Sequence, residues 1–201
     1  MATPKGLKPS NLSVKRATGC AISFALAVSL GAAYGDYRSA KSKLDLIQSE
    51  RLAPASRITL TARELNAYVA QEVPTVTDGV RNPKLELIGP GLARGTALID
   101  FAKVRRSQGH PPGWLMSKIL EGERPVSVTA RISSGAGRAT VDVQEVQISG
   151  LQIDGSTLDF LIQNFLFSLY PNAMVGRPFA LGHRIDRLDV QPAGVGVIIG
   201  R

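Results

Sequence analysis

The stretch PVSVTARISSGAGRATVDVQEVQIS, residues 125–149, decides the fold class because its pattern predicts two strands joined by a short turn. In its first half apolar residues occupy every second position, at Val126, Val128, Ala130 and Ile132. That period of two is typical of a strand with one buried face. In the second half the alternation slips by one residue, which predicts a β-bulge near Gln144 or Glu145. Because the connection is short, the two strands are expected to pair antiparallel.

A second local signal lies upstream, in RITLTARELNAYVAQEV, residues 57–73. RITLT predicts a short strand. Thr61 and Glu64 have the spacing of a capping box, in which the Thr hydroxyl accepts a backbone N–H and the Glu reaches back. The helix that follows is expected to end at Pro74, because the residue before a proline avoids the α conformation. Asn66 lies between the apolar positions of this helix and is expected either to hydrogen-bond strand backbone or to face solvent.

The rest of the chain extends this succession of strands and helices. Further strands are predicted at residues 85–88, 92–105, 184–190 and 195–200, and helices at residues 113–123 and 155–169. Ser156 or Thr157 is expected to cap the longer of these helices. The sequence therefore predicts an α+β fold, in which a curved antiparallel sheet is covered by, or wrapped around, one long and two short helices that follow an N-terminal hydrophobic helix.

The N-terminal 35 residues differ in charge from the rest of the chain. They contain four basic residues and no acidic one, which is half of the formal net charge of +8. Ala17 to Tyr34 carry no charge and end in small residues, so the segment has the basic start, apolar centre and small-residue exit of a secretory signal. An uncleaved membrane anchor is the alternative, because an uncharged run of this length reaches the lower limit of a spanning helix. Either interpretation predicts an exported chain, periplasmic or membrane-anchored, with its domain outside the cytoplasm.

The domain organisation follows from this division. Residues 1–35 are predicted to be a signal peptide or membrane anchor. Residues 36–56 are predicted to be a helical stalk and linker, since Leu44 and Ile47 stand among mixed charges and a Pro-containing stretch follows. Residues 57–201 are predicted to form a single α+β domain.

Motifs for catalysis are missing from the sequence. It has no phosphate-binding loop, no dinucleotide-binding glycine pattern and no nucleophile elbow. The single Cys lies in the predicted export segment, and His110 and His183 have no evident catalytic neighbours in the sequence. Asp100 stands in an apolar stretch, where a carboxylate must be hydrogen-bonded or paired, and a salt bridge with an Arg is one way to satisfy it. We therefore predict no enzyme activity, no catalytic residue, no metal and no cofactor.

The basic residues of the predicted domain are dispersed and are not interleaved with aromatic side chains, as a nucleic-acid platform requires. We therefore expect no nucleic-acid partner.

Two segments carry more large apolar residues than a cover for a sheet needs. They supply the candidate ligand-binding residues Trp114, Leu115, Leu158, Leu161, Ile162, Phe165, Leu166 and Leu169. A helix that is apolar around most of its circumference is either buried or in contact with something apolar. These residues are therefore expected to form core, to line an elongated cavity for acyl chains, or to dock on another protein.

The stretch ITLTARELNAYVAQEV resembles the opening of several bacterial envelope protein families, which begin after a signal or anchor with LT-x-x-ELN-x-Y/L-L. The alternating hairpin, the ISG turn, the helix ending in YPN and the closing hairpin are also similar to bacterial TULIP-like proteins, the tubular lipid-binding proteins. The resemblance covers about residues 57–200. It implies a strongly curved sheet around a long helix and an extracytoplasmic lipid-binding role without catalysis.

Together these features predict a non-catalytic module that binds a lipid or another apolar ligand at the bacterial cell envelope, next to a membrane. The alternative is a structural or assembly partner of an envelope membrane complex, which docks on an envelope protein through the apolar helix.

Overall fold

The computed structural model describes residues 18–107, 122–163 and 175–201. The helices are α1 (Thr18–Gln48), α2 (Ala62–Val76), α3 (Phe101–Ser107) and α4 (Gly155–Leu161). The strands are β1 (Arg57–Thr61), β2 (Val80–Gly89), β3 (Leu92–Asp100), β4 (Glu123–Gly135), β5 (Arg138–Ile148), β6 (Leu151–Ile153), β7 (Phe179–Ala180), β8 (Ile185–Gln191) and β9 (Gly194–Ile199).

The described strands form two antiparallel sheets. The smaller sheet has the order β1-β9-β8, and the larger has the order β2-β3-β4-β5-β6, with β7 paired to another part of β5. The predicted α+β class with antiparallel pairing is therefore confirmed. The predicted helix at residues 113–123 falls largely on the segment 108–121, which lies outside the described residues.

The predicted signal or anchor falls mostly on residues 1–32, whose side chains lie outside the described part of the chain. Where side chains are described, no helix is long and apolar enough to cross a membrane. The chain divides into two compact units, Met1–Ala33 and Tyr34–Arg201.

The β4–β5 hairpin matches its prediction in both the turn and the bulge. Ala136 and Gly137 form a two-residue turn with φ of 51° and 73°, the positive values that a tight hairpin turn requires. Further along, Thr129 pairs with Glu145 and Ala130 with Val143, so Gln144 is the extra residue of the predicted bulge.

The capping box at the start of α2 is also confirmed. The N–H of Glu64 donates to Thr61 Oγ1 at 3.2 Å, and the N–H of Thr61 donates to Glu64 Oε2 at 2.8 Å. The prediction that the helix ends at Pro74 is wrong, because α2 continues to Val76. A proline in the last turn removes a single helical hydrogen bond, and the N–H of Thr77 closes that turn on the carbonyl of Val73 at 3.1 Å.

Two expectations around the β2–β3 hairpin have different outcomes. Asn66 Oδ1 accepts the N–H of Leu85 at 3.0 Å, so its expected contact with strand backbone is confirmed. Strand β3 ends at Asp100 and does not continue to residue 105. The Asp100 carboxylate accepts the N–H of Lys103 at 2.9 Å and so starts α3, which agrees with the hydrogen-bonded alternative and not with the salt bridge to an Arg.

The start of α4 also differs from its prediction. The helix begins at Gly155, with Asp154 in the N-cap position, so neither Ser156 nor Thr157 caps it. Asp154 has the extended backbone of an N-cap, and its side chain makes no capping hydrogen bond.

Helix α1 packs on the smaller sheet through the segment that was predicted to be a stalk. Ala40 and Ile47 are buried in a cluster with Leu60 of β1 and with Val197 and Ile199 of β9. Within the second compact unit, α1 therefore contributes to the core of the domain.

The two sheets are joined along the outer edge of β8. The carbonyl of Val190 accepts the N–H of Gly91 at 2.9 Å, and the carbonyl of Asp186 accepts the N–H of Gly137 at 2.8 Å. Between them Ser134 Oγ donates to the carbonyl of Leu188 at 3.0 Å and accepts its N–H at 2.8 Å. Hydrogen bonds thus connect β8 to the turns and the strand end at one side of the larger sheet.

Candidate functional site

One face of the larger sheet is apolar across four strands, and we call it the inner face. It consists of Val80, Leu85 and Leu87 of β2, Ala93, Gly95, Ala97 and Ile99 of β3, Val126, Val128, Ala130 and Ile132 of β4, and Val141, Val143, Val146 and Ile148 of β5. The strand register places these residues beside one another, and alternate residues of a strand point to the same side.

Two bulges keep this face continuous. In β2 the register shifts between Arg81 and Lys84, where Asn82 and Pro83 oppose a single residue of β3. The Gln144 bulge in β5 has the same effect. In a regular strand, one extra residue would place all the following apolar side chains on the opposite face. The bulge accommodates the extra residue and so keeps them on the inner face.

The ends of the inner face are closed by core packing. At one end Leu87 and Ala93 are buried against Val190 of β8. At the other end Phe101 and Val104 of α3 are buried. Partly buried side chains pack against that second cluster, at Val80, Ile99, Val126, Ile148 and Leu161.

The middle of the inner face is more open. Val128, Ala130 and Val143 are only partly buried there. No described atom lies within 4 Å of the position that a Cβ on Gly95 would take. The described residues therefore leave an apolar, unfilled position at Gly95, between the two packed ends.

The structure places some of the predicted ligand-binding residues. Leu161 of α4 packs against the α3 cluster at one end of the inner face, and Leu158 and Ile162 are partly buried. The other candidates lie outside the described residues: Trp114, Leu115, Phe165, Leu166 and Leu169.

All candidate ligand-binding residues predicted from the sequence lie in predicted helices, and none lies on the sheet face. The available signal was the alternation in β4 and β5, which had already marked one side of each strand as apolar.

The most perturbed carboxylate in the described part of the chain is Glu64, and its contacts are structural. It is 6% exposed. Lys43 Nζ donates to both oxygens of the Glu64 carboxylate, at 2.7 and 2.8 Å. The same carboxylate also accepts hydrogen bonds from Ser39 Oγ and from the N–H of Thr61. Burial alone would raise the pKa of Glu64, but the hydrogen bonds from Lys43, Ser39 and Thr61 outweigh burial and lower the pKa to about 2. A carboxylate so fully hydrogen-bonded is a poor proton acceptor and instead fastens α1 to the start of α2.

A second polar contact between the same helices involves Tyr37. Its hydroxyl donates to Glu72 Oε1 at 2.6 Å, and its ring stacks on Tyr68 with a centroid distance of 6.2 Å. The hydrogen bond to Glu72 raises the pKa of Tyr37 to about 12.

The histidines and acids offer no metal site in the described residues. His110 lies outside them. His183 Nδ1 is 3.4 Å from Glu50 Oε1, and both side chains are about half exposed, at 49% and 52%. The pair lies at a surface turn, where it ties the turn before β8 to the segment after α1. Among the residues that the structure describes, no three His, Cys, Asp or Glu side chains are grouped so as to hold a metal ion.

Comparison of the chain with protein-family models, curated proteins and solved structures found no match.

Proposed function

We propose that this chain is a non-catalytic extracytoplasmic module that binds a lipid or another apolar ligand at the bacterial cell envelope, on the inner face of its larger sheet. The observation that carries the proposal is the position at Gly95, which no described residue fills, in an otherwise aliphatic surface. Sites for apolar ligands are concave and aliphatic with few polar groups. The inner face is aliphatic along its whole length, from Leu87 of β2 at one end to Ile148 of β5 at the other.

The energy available on such a face suits an acyl chain. Each methylene group that leaves water contributes about 0.8 kcal/mol. A ligand that buries about eight of them gains roughly 6 kcal/mol before the entropic cost of ordering it. Small side chains along β3 and in β4 form a shallow depression, at Ala93, Gly95, Ala97 and Ala130. An acyl chain that lies along β3 would then contact the larger side chains of β2 and β4 on either side.

The connection between the sheets supports the TULIP-like resemblance. The edge strand β8 of the smaller sheet is hydrogen-bonded to the end of the β4–β5 hairpin, so the two sheets are connected there, as a sheet that curves around a helix requires. A strongly curved sheet around a helix that includes α4 is the arrangement that we propose. The predicted signal or anchor supports a location at the envelope.

Uptake of a fluorescent fatty acid by the full chain, together with native mass spectrometry after gentle extraction, tests the proposal. Gly95→Val is the informative variant, because a valine fits a strand and fills the open position without meeting a described atom. Gly135→Val is the matched control, since its Cβ also meets no described atom but its position in β4 faces the other side of the sheet.

We expect Gly95→Val to lose fatty-acid uptake and to keep its stability, whereas Gly135→Val keeps both. A chain that carries no lipid, takes up no fatty acid and crosslinks to a protein in fixed stoichiometry would support the assembly role instead. Strong destabilisation by Gly95→Val alone would mean that the inner face is filled core.

A further inference from the structure

The opposite face of the larger sheet has a polar row that the proposed function does not use. Lys84, Thr96, Ser127 and Gln147 are direct cross-strand neighbours in β2, β3, β4 and β5. They line a surface pocket of about 350 Å³, together with Asn82 and Gly150. The strand register places this row on the side away from the inner face. The pocket is lined mainly from that side, and Ala97 and Val126, which belong to the inner face, also contribute to its lining.

The β2 bulge shapes the pocket. Asn82 lies in the bulge and has a φ of 49°, a left-handed conformation that Asn tolerates better than most residues. A bulge bends its strand and redirects the side chains beside it. Here it sets Asn82 and Lys84 at the margin of the pocket, with Leu98 and Pro125 lining it as the next cross-strand pair.

Lys84 is the charged residue among those that line the pocket, and the nearest acid bonded to the lining is Glu145, whose Oε1 accepts from Gln147 Nε2 at 2.7 Å. Nearby Arg81 is paired with Glu123 at 3.0 Å, and Arg94 stands opposite Glu86 and donates to Thr129 Oγ1 at 3.2 Å. No described residue gives Lys84 a hydrogen-bond or ion-pair partner.

The remaining groups that line the pocket are neutral or hydrogen-bond donors. None of the residues that line the pocket is acidic. Asn82, Thr96 and Ser127 add neutral hydrogen-bond donors around the Lys84 ammonium group.

We propose that this pocket binds an oxyanion, the phosphate or carboxylate group of a small polar molecule or of a lipid headgroup. One ammonium group with surrounding hydroxyl and amide donors satisfies the oxygens of such a group, and charge-assisted hydrogen bonds to them are the strong kind. A solvated site with a single Lys binds inorganic phosphate weakly, on the order of millimolar.

Amide NMR of the full chain tests this proposal with inorganic phosphate as the probe. An uncharged maltoside detergent, which carries no oxyanion, keeps the chain in solution. We expect saturable shifts at the amides of Ser127 and Gly150. Lys84→Gln should weaken binding by about tenfold or more, the effect of losing one charge-assisted hydrogen bond. Lys103→Gln removes an exposed charge elsewhere, on α3, and should leave binding unchanged.

A second variant and a second probe complete the test. Thr96→Val keeps the shape of the side chain, removes one donor and should weaken binding less than Lys84→Gln. Lys84-dependent binding to phosphatidylglycerol vesicles, absent with phosphatidylcholine alone, would assign the oxyanion to a lipid headgroup. Phosphate binding without vesicle binding would assign it to a soluble molecule. Shifts that do not saturate, or that are equal in the wild-type chain and Lys84→Gln, would overturn the proposal.

Discussion

The buried carboxylate of Glu64 allows a quantitative prediction for the substitution Glu64→Gln. Gln at the third helical position of α2 can still accept the N–H of Thr61, so the capping box is retained. What the variant loses is the negative charge that Lys43 Nζ contacts at 2.7 Å. The substitution therefore removes the charge and, because one carboxylate oxygen becomes an NH2 group, also an acceptor for Lys43 and Ser39, while the capping box is kept.

The magnitude follows from the pKa of Glu64. A lowering from 4.5 to about 2 is worth about 3 kcal/mol at about 1.36 kcal/mol per pKa unit. Because the pKa of the folded state lies below that of the unfolded state, this stabilisation is present above about pH 4.5. It is lost as the pH falls towards 2. At pH 7 Glu64→Gln should therefore lower the free energy of unfolding by about 3 kcal/mol, and near pH 2 the variant and the wild type should be about equally stable.

Urea unfolding of the full chain between pH 2 and pH 7, followed by circular dichroism, measures both effects. Glu86→Gln is the control, because Glu86 is exposed on β2 and should change the free energy of unfolding by less than about 0.5 kcal/mol. Equal stability of Glu64→Gln and the wild type at pH 7, or an equal loss of stability by both on acidification, would refute this prediction.

Three further substitutions test single contacts. Ala136→Asn should raise the free energy of unfolding by about 0.5–1 kcal/mol in thermal denaturation, because Ala136 has a φ of 51° and Asn tolerates that conformation. Ser134→Ala should lower it by about 1–3 kcal/mol in urea unfolding, since both hydrogen bonds to β8 are lost, while Ser133→Ala on the exposed side should leave it unchanged. Asn66→Ala should cost about 1 kcal/mol and speed hydrogen exchange at the amide of Leu85, which loses its acceptor.

The parts of the fold that the sequence predicts are those set by local interactions. The capping box needs only Thr61 and Glu64, which are three residues apart, and the β4–β5 turn needs only the residues between its strands. The Gln144 bulge is visible as a slip in the apolar alternation. In each case the pattern and the structure are produced by the same few residues.

The parts that the sequence does not predict depend on contacts between distant segments. Lys43 reaches Glu64 across 21 residues, and Ser134 reaches Leu188 across 54. Neither pairing has a local signature. For the same reason the helix 36–48 reads as a stalk in the sequence, although its Ile47 has a partner surface on β9.

The candidate site was missed for a related reason. Each strand of the inner face shows its own alternation, but the combined surface depends on register and on the two bulges. Large apolar residues are visible in a sequence, and they point to segments such as the predicted helix 155–169. An open site needs small residues as well, and Gly95 is recognised as part of such a site only when its cross-strand neighbours are known.

Three of the four end strands of the two sheets, β1, β2 and β8, carry a side-chain contact that opposes the addition of another strand. A strand with free N–H and C=O groups invites another strand to pair with it. Here Lys43 donates to a carbonyl of β1 at 2.8 Å, Asn66 accepts an N–H of β2, and Ser134 occupies both groups of one residue in β8. Each of these end strands is thus held by a side chain from another element, which opposes strand addition. The faces of the larger sheet remain, one aliphatic around Gly95 and one polar around Lys84, and their chemistry suits different parts of an amphipathic ligand or two different ligands.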